Sequence, residues 1–110
     1  MREIKFRSWI KSKNIMLYDF TIIENGIKSN NDKTIIMQYT GLKDKNGKEI
    51  YEGDILQSNN GEKYEVIWWN CGFATKWFRN DSNCYLIKGF ADVVEIIGNI
   101  YENLELINKY

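Results

Sequence analysis

Hydrophobic and polar positions alternate with a period of two over residues 3–10, and branched and aromatic residues concentrate at 15–20 and 34–40. A period of two places successive side chains on opposite faces of a strand. The pattern therefore predicts three N-terminal strands. Residues 24–33, which are rich in Asn, Asp, Ser and Gly, form the most loop-like stretch, and we expect a mobile boundary there.

The second half of the chain predicts closely spaced short strands joined by tight turns. Strands are expected at 52–56, 63–70, 73–79 and 84–87, with Asn- and Gly-containing turns between them. Such spacing is typical of a small barrel. The apolar positions of residues 93–100 fit one face of a helix as well as a strand. The β-branched residues and Gly98 favour the strand. We predict a strand at 94–101 and a helical turn at 103–107.

Composition indicates a folded protein and gives no direct sign of a charged ligand. The chain has 110 residues, 44% of them hydrophobic, enough for one domain with its own core. No apolar run approaches the roughly 20 residues that span a bilayer, so we expect a cytoplasmic protein. Fifteen basic and fifteen acidic residues cancel, which weakens the case for nucleic-acid binding. The basic start and the acidic end are expected to pair across the fold or between subunits.

Catalytic chemistry has few candidates in this sequence. There is no histidine, and the two cysteines, Cys71 and Cys84, cannot complete a four-ligand zinc site. We expect both thiols to be reduced and buried. The spacing around Gly47 fails the calcium-loop pattern, and no glycine-rich phosphate loop is present. We therefore expect no enzyme activity, no cofactor and no metal.

One segment, residues 38–55, carries a motif: QYTGLKDKNGKEIYEGDI. Asn46-Gly47 supplies the left-handed backbone angles of a hairpin turn, and the Lys and Asp around it are expected to keep that turn in water. With the opening MREIKFRSW and the closing EIIGNIYEN, the segment resembles the YopX family of small bacteriophage and prophage proteins. The order of the three matches agrees with that family. Ile10 and Leu104 depart from it, where an acidic residue and a proline are usual.

The resemblance implies an architecture and no chemistry. It implies an α+β, mostly β protein, with a strand-rich α+β subdomain at 1–50 and an SH3-like small β-barrel at 51–110. It also implies a phage or prophage protein in the cytoplasm of a bacterial host. No catalytic activity and no cofactor come with it.

Aromatic residues beside cations are the candidate binding residues. Neighbours on a strand point to opposite faces, so one residue of Trp68-Trp69 lies outside the core, where it is either covered or serves as a contact platform. The next strand repeats this arrangement between flanking cations. The candidate binding residues are Trp9, Tyr39, Tyr51, Trp69, Lys76, Trp77 and Arg79.

Two functions fit these residues. The first is a non-catalytic protein-interaction module that self-associates or binds a host or phage protein. The alternative is a nucleic-acid-binding small β-barrel that uses Trp69, Trp77 and the basic first strand. Salt-insensitive self-association would favour the first function, whereas binding that weakens steeply with salt would favour the second.

Overall fold

The computed structural model describes residues 4–18, 34–79, 82–86 and 88–107, which are mostly β. The predicted loop at 24–33 lies outside these residues. The elements, in chain order, are β1 (Phe6–Ile10), β2 (Ile15–Tyr18), β3 (Thr34–Lys43), β4 (Glu49–Tyr51), β5 (Asp54–Gln57), β6 (Lys63–Trp69), β7 (Gly72–Trp77), β8 (Asn83–Tyr85), α1 (Lys88–Ala91), β9 (Glu95–Asn99) and α2 (Leu104–Ile107). The mostly β class is confirmed, and neither four-residue helix is long or apolar enough to cross a membrane.

The first sheet is antiparallel, with the strand order β2-β1-β3-β4. β1 lies between its neighbours, so that Ser8 faces Leu17 on one side and Ile36 on the other. The turn between β1 and β2 is tight, and Asn14 adopts a φ of 53° there. Asparagine tolerates this left-handed conformation better than most residues.

β3 is long enough to serve two partners. Its first half pairs with β1, and its second half pairs with β4 across a register shift between Tyr39 and Lys43. A β-bulge of this kind bends a strand and increases its twist. The bend carries the β3–β4 hairpin from the first sheet towards the second.

The turn of this hairpin is built around Asp44. Gly47 has a φ of +83°, in line with the expected left-handed turn. Asp44 is buried, which corrects the expectation that this residue keeps the turn in water. Its Oδ1 accepts hydrogen bonds from the backbone N–H groups of Asn46 and Lys48, and its Oδ2 accepts one from Ile96 on β9, each at 2.9 Å. One carboxylate thus closes the turn and fastens it to another strand.

The second sheet is also antiparallel, with the order β8-β7-β6-β5-β9. β9 returns from the end of the chain to pair with β5, where the register shifts between Ile55 and Leu56. Within the described residues, the ladders join only these neighbours. The strands are therefore confirmed, whereas closure into an SH3-like barrel is not.

The core lies between the second sheet, the β3–β4 hairpin and α1. Its buried members are Ile50, Leu56, Val66, Phe73, Leu86, Ala91 and Val94. α1 was not predicted, because four residues are too few to show a helical period. It supplies Ala91, which is fully buried. The division of the chain into subdomains at 1–50 and 51–110 stays a prediction. Ile50, at the end of the first of these, packs in the core of the second sheet.

Of the glycines that the structure describes, Gly98 has the least space for a side chain. A Cβ atom there would lie 2.5 Å from the Oδ1 of Asn103, the atom that accepts the N–H of Asn99. We expect Gly98→Ala to lower the free energy of unfolding by about 2 kcal/mol, because this hydrogen bond and its packing are lost. Gly89→Ala is the matched control, since Gly89 has open space in α1 and alanine favours helix by about 0.5–1 kcal/mol. Urea denaturation measures both; equal effects would contradict the prediction.

Candidate functional site

A buried ion pair joins the two sheets. Arg7 on β1 and Asp54 at the start of β5 lie 2.9 Å apart (Nη2 to Oδ1), and each side chain is 3% exposed. The same Nη2 donates to the backbone oxygen of Glu52 at 3.0 Å. The second carboxylate oxygen of Asp54 accepts the backbone N–H of Tyr51 at 2.8 Å. The pair therefore fixes the turn between β4 and β5 against the first sheet.

Tyrosine rings surround the guanidinium. The Cζ of Arg7 lies 4.9 Å from the ring centroid of Tyr51 and 5.8 Å from that of Tyr18. The two rings meet edge to face, with centroids 5.7 Å apart. The attraction between a guanidinium and aromatic rings is stronger where water is excluded. A cleft of about 430 Å³ opens beside the pair, and residues of β9 and Glu102 also line it.

Burial dominates the protonation of Asp54. Loss of water raises the pKa of its carboxyl from 3.8 to about 6, although the charge of Arg7 and the N–H of Tyr51 act in the opposite direction. Because the folded pKa exceeds the unfolded one, the folded state holds this proton more tightly between about pH 4 and pH 6. The contribution of Asp54 to the free energy of unfolding therefore falls as pH rises through this window and is constant above it.

The two cysteines and two further titratable groups lie outside this ion pair. Cys71 and Cys84 are free thiols, but both are exposed, which corrects the expectation of burial. No cluster of three metal-binding side chains occurs within the described ranges. Burial raises the pKa of Glu65, and burial together with the nearby charges of Glu65 and Glu52 raises that of Tyr101.

Three of the candidate binding residues lie inside the protein. Trp9 is buried and stacks on Tyr101, with ring centroids 6.0 Å apart. Tyr39 and Tyr51 are buried as well and contact each other, with centroids 5.6 Å apart. A buried side chain meets a partner only if the fold opens. These three aromatics therefore pack the junction between the sheets.

The Trp68-Trp69 pair divides as strand geometry requires, but the exposed member is Trp68. Trp68 lies on the same side of β6 as buried Val66 and is 54% exposed. Its ring and that of Phe73 meet edge to face. Trp69 is half-buried beneath Tyr85, with ring centroids 5.3 Å apart. The sequence could not distinguish the two tryptophans, because the end of the core depends on how far the neighbouring strands extend.

The last three candidates are engaged with carboxylates. The indole Nε1 of Trp77 donates to Glu62 at 2.7 Å, and the guanidinium of Arg79 pairs with the same carboxylate at 3.2 Å. These partners lower the pKa of Glu62. Lys76 faces Glu65 across the β6–β7 ladder. The predicted cationic face is therefore locally neutralised.

The basic first strand is neutralised in the same way. Arg7 is buried with Asp54, and Lys5 contacts Glu49 at 2.6 Å. Both carboxylates belong to the middle of the chain, rather than to the acidic C-terminal segment that the sequence suggested. Sequence analysis missed this pairing because positions 7 and 54 have no shared pattern, and only the topology brings β1 to the β4–β5 turn.

An apolar sheet surface is the second feature that the sequence did not single out. We call it the outer face: the side of β1, β2 and β3 opposite Arg7. Its apolar members are Phe6, Ile10, Ile15, Leu17 and Ile36, and its polar members are Ser8, Thr34 and Gln38. Three of the apolar residues are 42–43% exposed. The period-two alternation over the first strand contained this signal.

Both a protein-family model and a solved structure match this chain. The family model described as "YopX protein" matches residues 5–108. The crystal structure of protein EF1440 from Enterococcus faecalis superposes with a TM-score of 0.74 at 26% sequence identity, covering 98% of this chain and 100% of that one. No match was found among the curated proteins.

Proposed function

The chain belongs to the YopX family, and we propose that it acts as a non-catalytic protein-interaction module in the bacterial cytoplasm. The observation that carries this proposal is the outer face. Ile15 and Leu17 on β2 and Ile36 on β3 lie on either side of β1. With the half-buried Phe6 and Ile10 of β1, they form an uncharged apolar surface across three adjacent strands. Contiguous apolar patches on soluble domains mark contact sites more often than isolated exposed residues do.

The charge arrangement supports the same function. Arg7, Lys5 and Arg79 each pair with a carboxylate, so these three cations are locally compensated. Counterion release from nucleic acid depends on cations that are available to phosphates. An apolar surface, by contrast, gains free energy when a protein partner excludes water from it.

Nucleic-acid binding is the second candidate, and one observation favours it. Trp69, Tyr85 and Lys76 lie on the same side of β6, β7 and β8, where an aromatic platform stands near a cation. Aromatic platforms can stack bases. Glu65 faces Lys76 across the ladder, and this neighbouring carboxylate opposes phosphate binding.

Two measurements test the proposal together. In the first, a labelled single-stranded oligonucleotide is titrated with the protein by fluorescence anisotropy at about 50 mM salt, where nonspecific binding is strong. We expect no binding tighter than about 100 μM, the weak end of nonspecific affinities. Micromolar binding that weakens steeply with salt would replace the proposal with its alternative.

In the second measurement, a photo-crosslinking amino acid is placed at Ile36 on the outer face, or at Val93 as an exposed apolar control away from it. We expect covalent protein adducts in cells from position 36 and not from position 93. Equal labelling at both positions would remove the outer face as the contact site.

We also propose that the second sheet is SH3-like. The neighbour order β8-β7-β6-β5-β9 places the last strand beside the first of the five, as closure of a small barrel requires. The register shift in the β5–β9 ladder supports the curvature.

A further inference from the structure

We infer that the outer face packs against the outer face of a second copy of this chain, around a two-fold axis. This inference rests on the proposed function, because it names the partner of the same surface. Among the described residues, two other exposed apolar side chains lie apart from this face, Trp68 on β6 and Val93 in the turn after α1.

The charge of the outer face identifies the partner. None of its eight positions is charged, in a chain of which 27% is charged. A charged partner would find nothing to pair with there and would pay for desolvation. A second copy brings an equally neutral and apolar surface, so its approach meets no like-charge repulsion.

The geometry of the face is compatible with self-complementary packing. Leu17 and Ile36 flank Ser8 in the register, so two ridges of large side chains border a small buried residue. Two faces of this kind can interdigitate, as the inner faces of β-sandwiches do at a separation of about 10 Å. A two-fold axis gives an isologous contact, in which each residue is used twice.

The same axis also separates the nearest cations. Lys11 and Lys13 lie in the β1–β2 turn at one end of the outer face, and both are exposed. When the strands of the two copies run antiparallel across the axis, the two lysine turns lie at opposite ends of the contact. Their repulsion is then small at physiological salt, where screening acts over about 8 Å.

The size of the contact sets the expected affinity. Three short strands offer less area than the roughly 800 Å² per partner of a standard interface. We therefore expect a reversible dimer with a dissociation constant of about 10–100 μM, weaker than standard-sized interfaces commonly show. Because apolar burial drives it, raising the salt concentration should not weaken the dimer.

Sedimentation velocity of the full chain from about 5 to 500 μM, spanning this range, tests the inference. Ile36→Lys places two like charges near the axis and should weaken dimerisation at least tenfold, a change of about 1.4 kcal/mol. Val93→Lys is the matched control, since it adds the same charge at an exposed apolar position elsewhere and should leave the dimer unchanged. Circular dichroism verifies that both variants fold.

Charge reversal separates a contact from a structural effect. Ile36→Glu alone should also stay monomeric, whereas an equimolar mixture of Ile36→Lys and Ile36→Glu should recover a mixed dimer. A residue that only maintains the fold would show no such recovery.

A wild-type protein that stays monomeric up to 500 μM would overturn the inference, as would a dimer unaffected by both substitutions at position 36. Either result leaves the proposed function standing with a different partner. Nucleic-acid binding in the anisotropy titration, or equal crosslinking at positions 36 and 93, overturns that function, so the two failures are distinguishable.

Discussion

Replacing Arg7 by methionine is expected to lower the free energy of unfolding by about 3–5 kcal/mol at pH 8, because it leaves a buried carboxylate without its counter-charge. Methionine preserves much of the apolar stem but neither the ion pair with Asp54 nor the hydrogen bond to the Glu52 oxygen. For a domain of this size the midpoint of thermal unfolding should fall by about 15 °C or more. Urea denaturation and a thermal melt measure both quantities.

The cost of R7M should depend on pH with a definite sign. Arg7 opposes the rise in the pKa of Asp54, which burial takes to about 6. Without Arg7 this pKa rises further, so the window in which the folded state holds the extra proton extends above pH 6. The gap in unfolding free energy between wild type and variant is therefore constant below pH 6 and widens above it. A gap that narrows from pH 6 to pH 8 would contradict the explanation.

Two further variants isolate the charge. R7M/D54N carries no charge at this buried pair, and the side-chain oxygen of asparagine can still accept the N–H of Tyr51. At pH 8 we expect it to be about 2 kcal/mol more stable than R7M, since replacing both members of a buried pair costs less than replacing one. Lys5→Met is the matched control on the same strand. Its ion pair with Glu49 is partly exposed and should contribute at most about 1 kcal/mol.

Asp44→Ala should cost about 3 kcal/mol, because one side chain accepts three backbone N–H groups. Two of the donors, Asn46 and Lys48, belong to the turn, where water can replace part of what is lost. The third donor, Ile96, is half-buried on β9 and has no such replacement. Amide exchange followed by NMR should show the largest acceleration at Ile96.

Asp44→Asn provides the comparison. Its oxygen can keep both turn donors, but its NH₂ group would face the N–H of Ile96. We expect about half the cost of the alanine variant, with the turn amides still protected from exchange. Equal loss of protection at Asn46 and Ile96 in both variants would mean that Asp44 does not act through these separate hydrogen bonds.

Local pattern predicted most strands, and long-range pairing decided what the sequence could not predict. The alternation over residues 3–10 and the Asn46-Gly47 turn are properties of adjacent residues. The structure has a strand at Phe6–Ile10 and a left-handed Gly47 in the turn. The burial of Asp44 depends on β9, which lies about fifty residues further along the chain. The sequence could not predict the burial of Arg7 for the same reason. The alternation of β1 shows which side of the strand Arg7 lies on, but not which other element covers that side.

The candidate binding residues show the same limit. An aromatic residue beside a cation has the same appearance in sequence whether it stacks on a partner or packs internally. Glu62 is fifteen residues from Trp77, and only the β6–β7 ladder brings the two together. The outer face, in contrast, could have been predicted from the absence of charge on one side of β1.

The pairing of β9 with β5 has a consequence for synthesis on the ribosome. Val94 lies just before β9, and it shares the core with Leu56 and Val66, whose strands emerge about thirty to forty residues earlier. The nascent chain therefore exposes these strands until Val94 and β9 have left the exit tunnel. In domains of high contact order, contacts between distant parts of the chain form late because the loops between them must close first. Until then the apolar segments stay exposed and can bind chaperones. Pausing translation before codon 94 should thus leave a chain that proteases cleave readily, whereas release after β9 should produce the protected fold.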